Sequence, residues 1–521
     1  MRLGLVSLYS FRPHVEHLYY TSTLLNDAGH ELFFLTCDSA LDNCYGRALK
    51  GTSRLTECAT CIAGGIRSFP VSNINSIKRG KRVSLSDCER NMIASSSACT
   101  LLRTETHEDT YLPSYQSLRE TFYGPVETAY GNAIDWIKTN QLDGVICFNG
   151  RMEATRSITY ACERLAIPYL TLERPWFSDG LQFIPQGNCL SLRDVDRFNL
   201  QYGDIPLTKR QAYLAAQLIA SRFNRTNLKE WRAYNLNATH VAWPSNTVNG
   251  PKVLILPSSR NEIQGHPEYK DSWNSYTEGF NWVLDELKIP TENVVLRCHP
   301  NWGEKIGLAD GFSSESYYKT WAASRGVYCI GSKKTDSTFD LIQACDLLLV
   351  NGSSAAFEAG AYGKKIICLG HASYQQAGIA LHLYGKGDYD NFKLLERHNP
   401  TEVIRKTLRY GYTMARRFAQ YVNYVKAISP TRYRYFAGAD PDKIVRALRS
   451  GVLEADDAEV ATDDKGEIEI ISMMVDQKWG ELAAFEDGLN SKQILNIGRR
   501  WGLRWLDALR EKLPRGDQRH A

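Results

Sequence analysis

Residues 347–370 read LLLVNGSSAAFEAGAYGKKIICLG, and their reading decides the fold. An unbroken apolar run, Leu347 to Val350, meets a small polar turn, Asn351 to Ser354, and a short helical stretch leads into a second apolar run, Ile366 to Leu369. Runs without polar alternation are those of strands buried on both faces of a parallel sheet. The turn sets Gly352, Ser353 and Ser354 at the mouth of a strand and Glu358 one turn into the helix. Gly352 permits close backbone approach, the two serines offer hydroxyls, and free N–H groups at a helix start favour an anion. A nucleotide phosphate on this turn and a ribose on Glu358 is one reading; Ser-Ser as ordinary helix capping and Glu358 as a solvated carboxylate is the other.

The same alternation extends outward. KVLILP (252–257), NVVLRCHP (293–300) and GVYCIG (326–331) precede the quoted stretch as strands of one α/β series. Earlier, MRLGLVSLYS (1–10) is a strand, VEHLYYTSTLLNDAGHELFFLTC (15–37) a helix closed at Gly29 and a strand, and DGVICFNG and IPYLTLER end two further units. Strands alternating with helices predict parallel sheets covered on both faces. The expected organisation is a Rossmann-like domain over 1–185, a helical connection over 186–250, a second Rossmann-like domain over 251–400, basic aromatic helices over 401–450, and an acidic linker with an amphipathic tail over 451–521. Two α/β domains facing a cleft form a GT-B-like outline, shared by glycosyltransferases, nucleotide-sugar epimerases and some phosphorylases, so the outline alone does not choose the chemistry.

Composition sets bounds. The 521 residues are too many for one ordinary core, and 43% apolar with 23% charged content is that of a globular protein. A net charge of +4 is small for this length, and no helix-turn-helix or single-strand-binding pattern accompanies the basic segments, so nucleic acid is not an expected partner. The opening residues carry too short an apolar run for a secretory signal, and no window reaches the roughly 20 apolar residues of a membrane span. The expected location is the cytoplasm, with the basic aromatic segments 405–436 and 494–513 able to touch the anionic inner face of a membrane.

Ligands of open parallel sheets bind beyond the carboxyl ends of the strands. There the second half carries PSSRNE with Arg260 and Glu262, RCHPN with Arg297, His299 and Pro300, and NGSSAAFE. An imidazole fixed before Pro300 can neutralise a leaving phosphate. In the first half Asn149, Arg151, Glu173 and Arg174 end strands that face the cleft, with Glu173 a candidate general base or an ion-pair partner. His14 and His17 follow the first strand as candidate acceptor-facing residues; His30 is a helix-to-strand turn residue.

The His299-Pro300 pair, followed by Ser353-Ser354 and the Phe357-Glu358-Ala359 helix and then by Gly370 and Tyr374, resembles the CMP-sugar-using GT-B transferases. These are the bacterial sialyltransferases and, more closely, the capsule polysaccharide Kdo transferases, over roughly residues 250 to 380. The resemblance implies that His299, Ser353 and Ser354 contact the CMP phosphate and Glu358 the ribose. Arg260 and Arg297 would then lie near the sugar carboxylate, and no cofactor is needed for transfer. It also implies an acidic residue after the first strand of this half, for which Glu262 is the counterpart, although the family's Gln-and-Asp pattern is missing here. Glu262 is open to three roles: nucleophile, base, or partner of Arg260. The expected partners are a CMP-sugar donor and a glycan or glycolipid acceptor. A UDP-sugar or CDP-alcohol transferase, an epimerase or hydrolase, and an inactive glycan-binding scaffold are the alternatives.

One further pattern is CDSALDNCYGRALKGTSRLTECATC, which gathers Cys37, Cys44, Cys58 and Cys61 in one stretch. Four thiols ending in Cys-x-x-Cys are compatible with structural zinc or an iron–sulfur cluster, or with ordinary loop cysteines.

Overall fold

The computed structural model describes residues 1–230, 233–306, 309–485 and 492–507. Two six-stranded sheets carry it. The first contains β1 (Arg2–Ser7), β2 (Glu31–Thr36), β3 (Ile74–Ser76), β4 (Gly144–Phe148), β5 (Tyr169–Glu173) and β6 (Gln182–Pro185), in the order β3-β2-β1-β4-β5-β6. All pairings are parallel except β5 with β6, which closes the edge antiparallel. Leu3, Leu5, Val145 and Ile146 are fully buried, as strands covered by helices on both faces require.

The second sheet contains β7 (Val253–Leu256) and β8 (Val294–Arg297). A two-residue antiparallel pair, β9 (Lys305–Ile306) with β10 (Ala309–Asp310), interrupts the series before β11 (Tyr328–Ile330), β12 (Leu347–Val350), β13 (Lys365–Cys368) and β14 (Leu381–His382). Its order is β11-β8-β7-β12-β13-β14, all parallel. In each sheet the chain first builds outward on one side of its founding strand and then returns to the other. The reversal leaves a crevice beside β1 in the first sheet and beside β7 in the second.

Between the sheets, helices Arg193–Tyr202 and Lys209–Phe223 make the connection; the second opens with a reciprocal Thr208–Gln211 capping box. Helix Lys209–Phe223 then serves as a post for later elements, since helices Pro400–Tyr412, Lys465–Val475 and Trp479–Ala483 all pack on it.

Three expectations for the C-terminal third need correction. Residues 401–450 are not helical throughout: after helix Pro400–Tyr412 and a wider turn, Thr413–Phe418, Tyr421 takes a left-handed φ of 56° and the chain enters a hairpin. Strands β15 (Val425–Ser429) and β16 (Arg432–Phe436) form it, extended by β17 (Ile494–Leu495). The β-branched and aromatic run with a Pro430-Thr431 turn suits a strand pair better than a helix. Most of the basic and aromatic side chains expected to meet a membrane are turned inward instead: Arg409, Tyr410, Tyr412, Arg417, Tyr421 and Tyr435 are buried, and the hairpin returns to the first domain, where the Tyr435 hydroxyl meets His17 Nδ1 at 3.0 Å. The acidic stretch is not a free linker, because Glu467 is buried in a bidentate pair with Arg409, at 2.8 and 2.7 Å, beside the buried Ile470, Ile471 and Met474. Of the expected amphipathic tail, residues 508–521 lie outside the described residues; within them Trp501–Leu503 forms a 3₁₀ turn and 505–507 are helical.

Candidate functional site

The crevice of the second sheet is built by the loops that leave β7 and β12. Asn351, at the end of β12, ties the two together: its Oδ1 accepts from the Ser258 N–H at 2.6 Å and its Nδ2 donates to the Ser258 carbonyl at 2.8 Å. The next residue, Gly352, has φ +102°, a region costly for a side chain, which turns the backbone sharply under the crevice. Ser353 is buried; its hydroxyl accepts from the Ala355 N–H at 3.3 Å and its carbonyl accepts from the Tyr374 hydroxyl at 3.0 Å. Ser354 is exposed, and its hydroxyl makes no capping bond to the helix it precedes. Pure capping therefore does not account for the second serine.

His299 follows β8 half-buried, its Nδ1 accepting from the Asn301 N–H at 3.2 Å, while Pro300 opens a 3₁₀ turn to Gly303. Arg297 is a correction. Its guanidinium is committed to the backbone, donating to the carbonyls of Cys298, Gly331 and Lys334 at 3.1, 2.6 and 2.6 Å, so it braces the β8 and β11 loops instead of meeting a sugar carboxylate. Arg260 is also buried, paired with Asp271 at 3.3 Å and stacked over the Tyr276 ring at 4.9 Å.

Glu358 sits deeper than a solvated helix carboxylate. Arg222 of the connecting helix donates to its Oε1 at 2.6 Å, and its Oε2 is buried with no partner among the described residues. Burial raises the Glu358 carboxyl above its ordinary range against the opposing pull of Arg222. Arg222 also donates to Glu230 at 3.0 Å and lies about equally close to the rings of Trp176, Phe177 and Phe357. Nothing in the local sequence marked Arg222 or Glu230; their partners lie on other elements.

Across the cleft, the first sheet offers the loops after β1, β4 and β5. After β4, Asn149 and Gly150 both take left-handed conformations, φ 63° and 71°, and a Cβ on Gly150 would strike Thr171 at 2.5 Å. The reversal aims Asn149 at Glu173, donating to Oε2 at 3.0 Å, while the Arg174 N–H donates to Oε1 at 3.0 Å. His14 Nε2 stands 3.2 Å from the same Oε1. Burial and the nearby Arg174 depress His14 to about 3, so its imidazole is neutral, with Nδ1 unpartnered; burial raises Glu173. Glu173 is thus the positioned carboxylate behind His14. His17 points away, buried against Tyr433 and Tyr435.

The two crevices meet. Arg151 donates to the Glu262 carbonyl at 3.3 Å, Arg103 to Asn301 Oδ1 at 3.1 Å, and Glu105 accepts from the Arg260 N–H at 3.2 Å and the Ser314 hydroxyl at 2.6 Å. The exposed Glu262 carboxylate lies within electrostatic reach of the buried Arg151.

Cys37, Cys44, Cys58 and Cys61 do share the wall of one cavity at the ends of β1 and β2, with Ser7, Tyr9, Phe11 and Arg67. All four are free thiols, and burial raises Cys44 to about 12 and Cys61 to about 11. Among the described residues no group of three or more His, Cys, Asp or Glu side chains is placed to hold a metal ion, so the expected zinc or iron–sulfur site finds no ligand set. The thiols are spread over a strand end, a helix cap and two turns of helix Arg54–Gly64, which makes them lining rather than a chelate.

Two Rossmann-like domains whose switch-point crevices face one cleft make this the GT-B arrangement. Among solved structures the chain is similar to Thermosulfurimonas dismutans KpsC, a beta Kdo 2,4 transferase, at 14% identity and TM-score 0.33, covering 64% of this chain and 87% of that one. It is similar also to UDP-GlcNAc 2-epimerase from Neisseria meningitidis (10% identity, TM-score 0.29, 86% and 100% covered) and to Acinetobacter baumannii MurG (10%, 0.28, 86% and 100%). No family model and no curated protein matches the chain.

Proposed function

We propose that the chain is a glycosyltransferase that moves an acidic sugar, Kdo or a related one, from a CMP-linked donor to a surface polysaccharide or glycolipid. The observation that carries this reading is the opposition of two unlike sites across one cleft: hydroxyl and imidazole groups at the β7/β12 crevice, and the neutral His14 backed by Glu173 opposite. Ser353, Ser354 and His299 hold the donor phosphate, and the unpartnered Oε2 of Glu358 receives a ribose hydroxyl. His14 accepts the proton of the acceptor hydroxyl, and Glu173 stabilises the imidazolium that forms, as a carboxylate does behind a catalytic histidine. The acceptor oxygen bonds to the anomeric carbon as the bond from that carbon to the phosphate oxygen breaks, and CMP leaves. Hydrogen-bond donors at the crevice stabilise the charge that develops on the leaving phosphate. Glu262 is the candidate nucleophile of a two-step, retaining variant of the same transfer.

Calorimetric titration of the purified protein with CMP, UDP, GDP and CDP tests the reading. Selective CMP binding supports it and makes CMP-Kdo the next substrate to assay. Tight UDP binding replaces the donor with a UDP-sugar and opens the epimerase chemistry, and no nucleotide binding at all leaves a glycan-binding scaffold.

A further inference from the structure

The C-terminal described segment is held rigidly while its largest side chains face outward. Arg499 is fully buried and donates to the carbonyls of Ala63 and Gly64 at 3.0 and 3.4 Å, bonds the Ser68 hydroxyl, pairs with Asp507 at 2.7 Å, and stacks over Phe69 at 5.0 Å. Arg500 donates to the carbonyls of Phe69 and Val71 at 2.9 and 3.0 Å, and its own N–H to Ser68 at 2.8 Å. Asp507 also pairs with Arg12. Against this many-point anchorage, Trp501 is 86% exposed and Trp505 59%. Burying either ring on the protein would have removed a large apolar area from water, so their exposure on a fixed segment marks a surface awaiting a partner.

The neighbouring helix supplies more of that surface. Arg499 caps the end of helix Arg54–Gly64, whose outward face carries Leu55, Ala59, Ile62 and Ala63, with Leu55 84% and Ile62 40% exposed. Residues seven apart lie on one helix face, so this is a stripe and not scattered exposure. Charge indicates the occupant. Exposed Arg504 stands between the tryptophans, the nearest acid in sequence, Asp507, is engaged by Arg12 and Arg499, and from residue 499 onward the sequence holds seven Arg or Lys against three Asp or Glu. Tryptophan beside arginine is the composition of a membrane–water interface: the ring takes the headgroup level and the guanidinium an anionic headgroup. No helix among the described residues is long and apolar enough to cross a membrane, so the contact is with a bilayer surface.

We propose that residues 499–507 and the outer face of helix Arg54–Gly64 form a docking surface for an anionic lipid bilayer. The surface is independent of the nucleotide reading and stands whichever donor the cleft takes. Co-sedimentation of the full chain with phosphatidylglycerol/phosphatidylcholine vesicles and with pure phosphatidylcholine vesicles tests it, beside the variants Trp501→Ser/Trp505→Ser and Arg504→Glu. The expected result is binding to the anionic vesicles, at least tenfold weaker to the neutral ones, reduced by raised salt, and lowered tenfold or more in each variant. All three substituted side chains are exposed, so a normal thermal unfolding midpoint separates lost docking from misfolding. Absence of binding to anionic vesicles overturns the proposal, as does binding that ignores both variants. A wild-type dimer in analytical ultracentrifugation that the tryptophan variant abolishes, without vesicle binding, assigns the patch to a second copy and overturns it equally.

Discussion

Arg222 donates to Oε1 of Glu358 at 2.6 Å while Oε2 of the same carboxylate remains buried without a partner among the described residues. The guanidinium joins three parts of the chain: Trp176 and Phe177 from the loop after β5, Phe357 and Glu358 from the helix after β12, and Glu230 beyond its own helix. Removing one partner of a buried pair leaves the other charge uncompensated, at a cost of about 3–5 kcal/mol. Arg222→Met is expected to lower stability by that order in urea denaturation. The loss should be larger at pH 8 than at pH 5, because Glu358, already raised by burial, can escape its charge by protonation at the lower pH. A loss independent of pH would mean that ring packing, and not charge, is what Arg222 supplies.

The His14–Glu173 dyad leads to a separate expectation. If His14 accepts the acceptor proton, His14→Asn should lower the transfer rate by about 10²–10⁴-fold, the usual span of general-base catalysis, with CMP affinity unchanged. Glu173→Gln keeps the hydrogen bond from Asn149 but removes the charge that stabilises an imidazolium, so it should lower the rate without altering donor binding. Initial rates with CMP-Kdo, paired with calorimetry on CMP, separate the two effects. A weakened CMP affinity in both variants would move the dyad from catalysis to donor binding.

Asn351 and Ser258 hold the crevice shape through two hydrogen bonds across the point where the second sheet reverses. Asn351→Ala leaves a half-buried backbone N–H and carbonyl of Ser258 unpaired, at a cost of up to about 1–3 kcal/mol for each group that water does not reach. Since Gly352 and Ser353 hang from this tie, nucleotide affinity should fall together with thermal stability. Asn351→Asp retains the acceptor for the Ser258 N–H and is expected to lie between the two, a series that differential scanning fluorimetry with and without CMP would resolve.

What could be read from residues alone follows from the range of the signals. The apolar runs VLIL, VVLR and LLLV report burial on both faces, a property each strand carries locally, and β7, β8 and β12 are where those runs stand. The polar strand ends could be named for the same reason. Partners could not: Arg297 has the composition of an anion ligand, and only the placement of the Gly331 and Lys334 carbonyls turns it into a backbone brace. Arg222 and Glu358 lie 136 positions apart, beyond any periodicity. Basic aromatic RYRYF looked like a surface helix because its charges dominate its composition, whereas the buried Tyr435 and its bond to His17 decide where it packs.

Glu105 offers the sharpest test of how the domains are joined. Its buried carboxyl, raised to about 7 chiefly by desolvation, bridges the Arg260 N–H and the Ser314 hydroxyl at the interface. A carboxyl whose folded pKa lies above its unfolded value contributes stability that is full below about pH 4.5 and lost as pH rises through about 7. Each unit of that separation is about 1.4 kcal/mol. Glutamine resembles the protonated acid, able to accept from Arg260 and donate to Ser314 without carrying a charge. Glu105→Gln is therefore expected to match the wild type near pH 4.5 and to exceed it at pH 8, flattening the decline between. Urea midpoints taken at half-unit steps from pH 4.5 to 8.5 would show it. If the variant instead tracks the wild-type profile throughout, Glu105 is already ionised at neutral pH, and the interface is held by its charge and not by a shared proton.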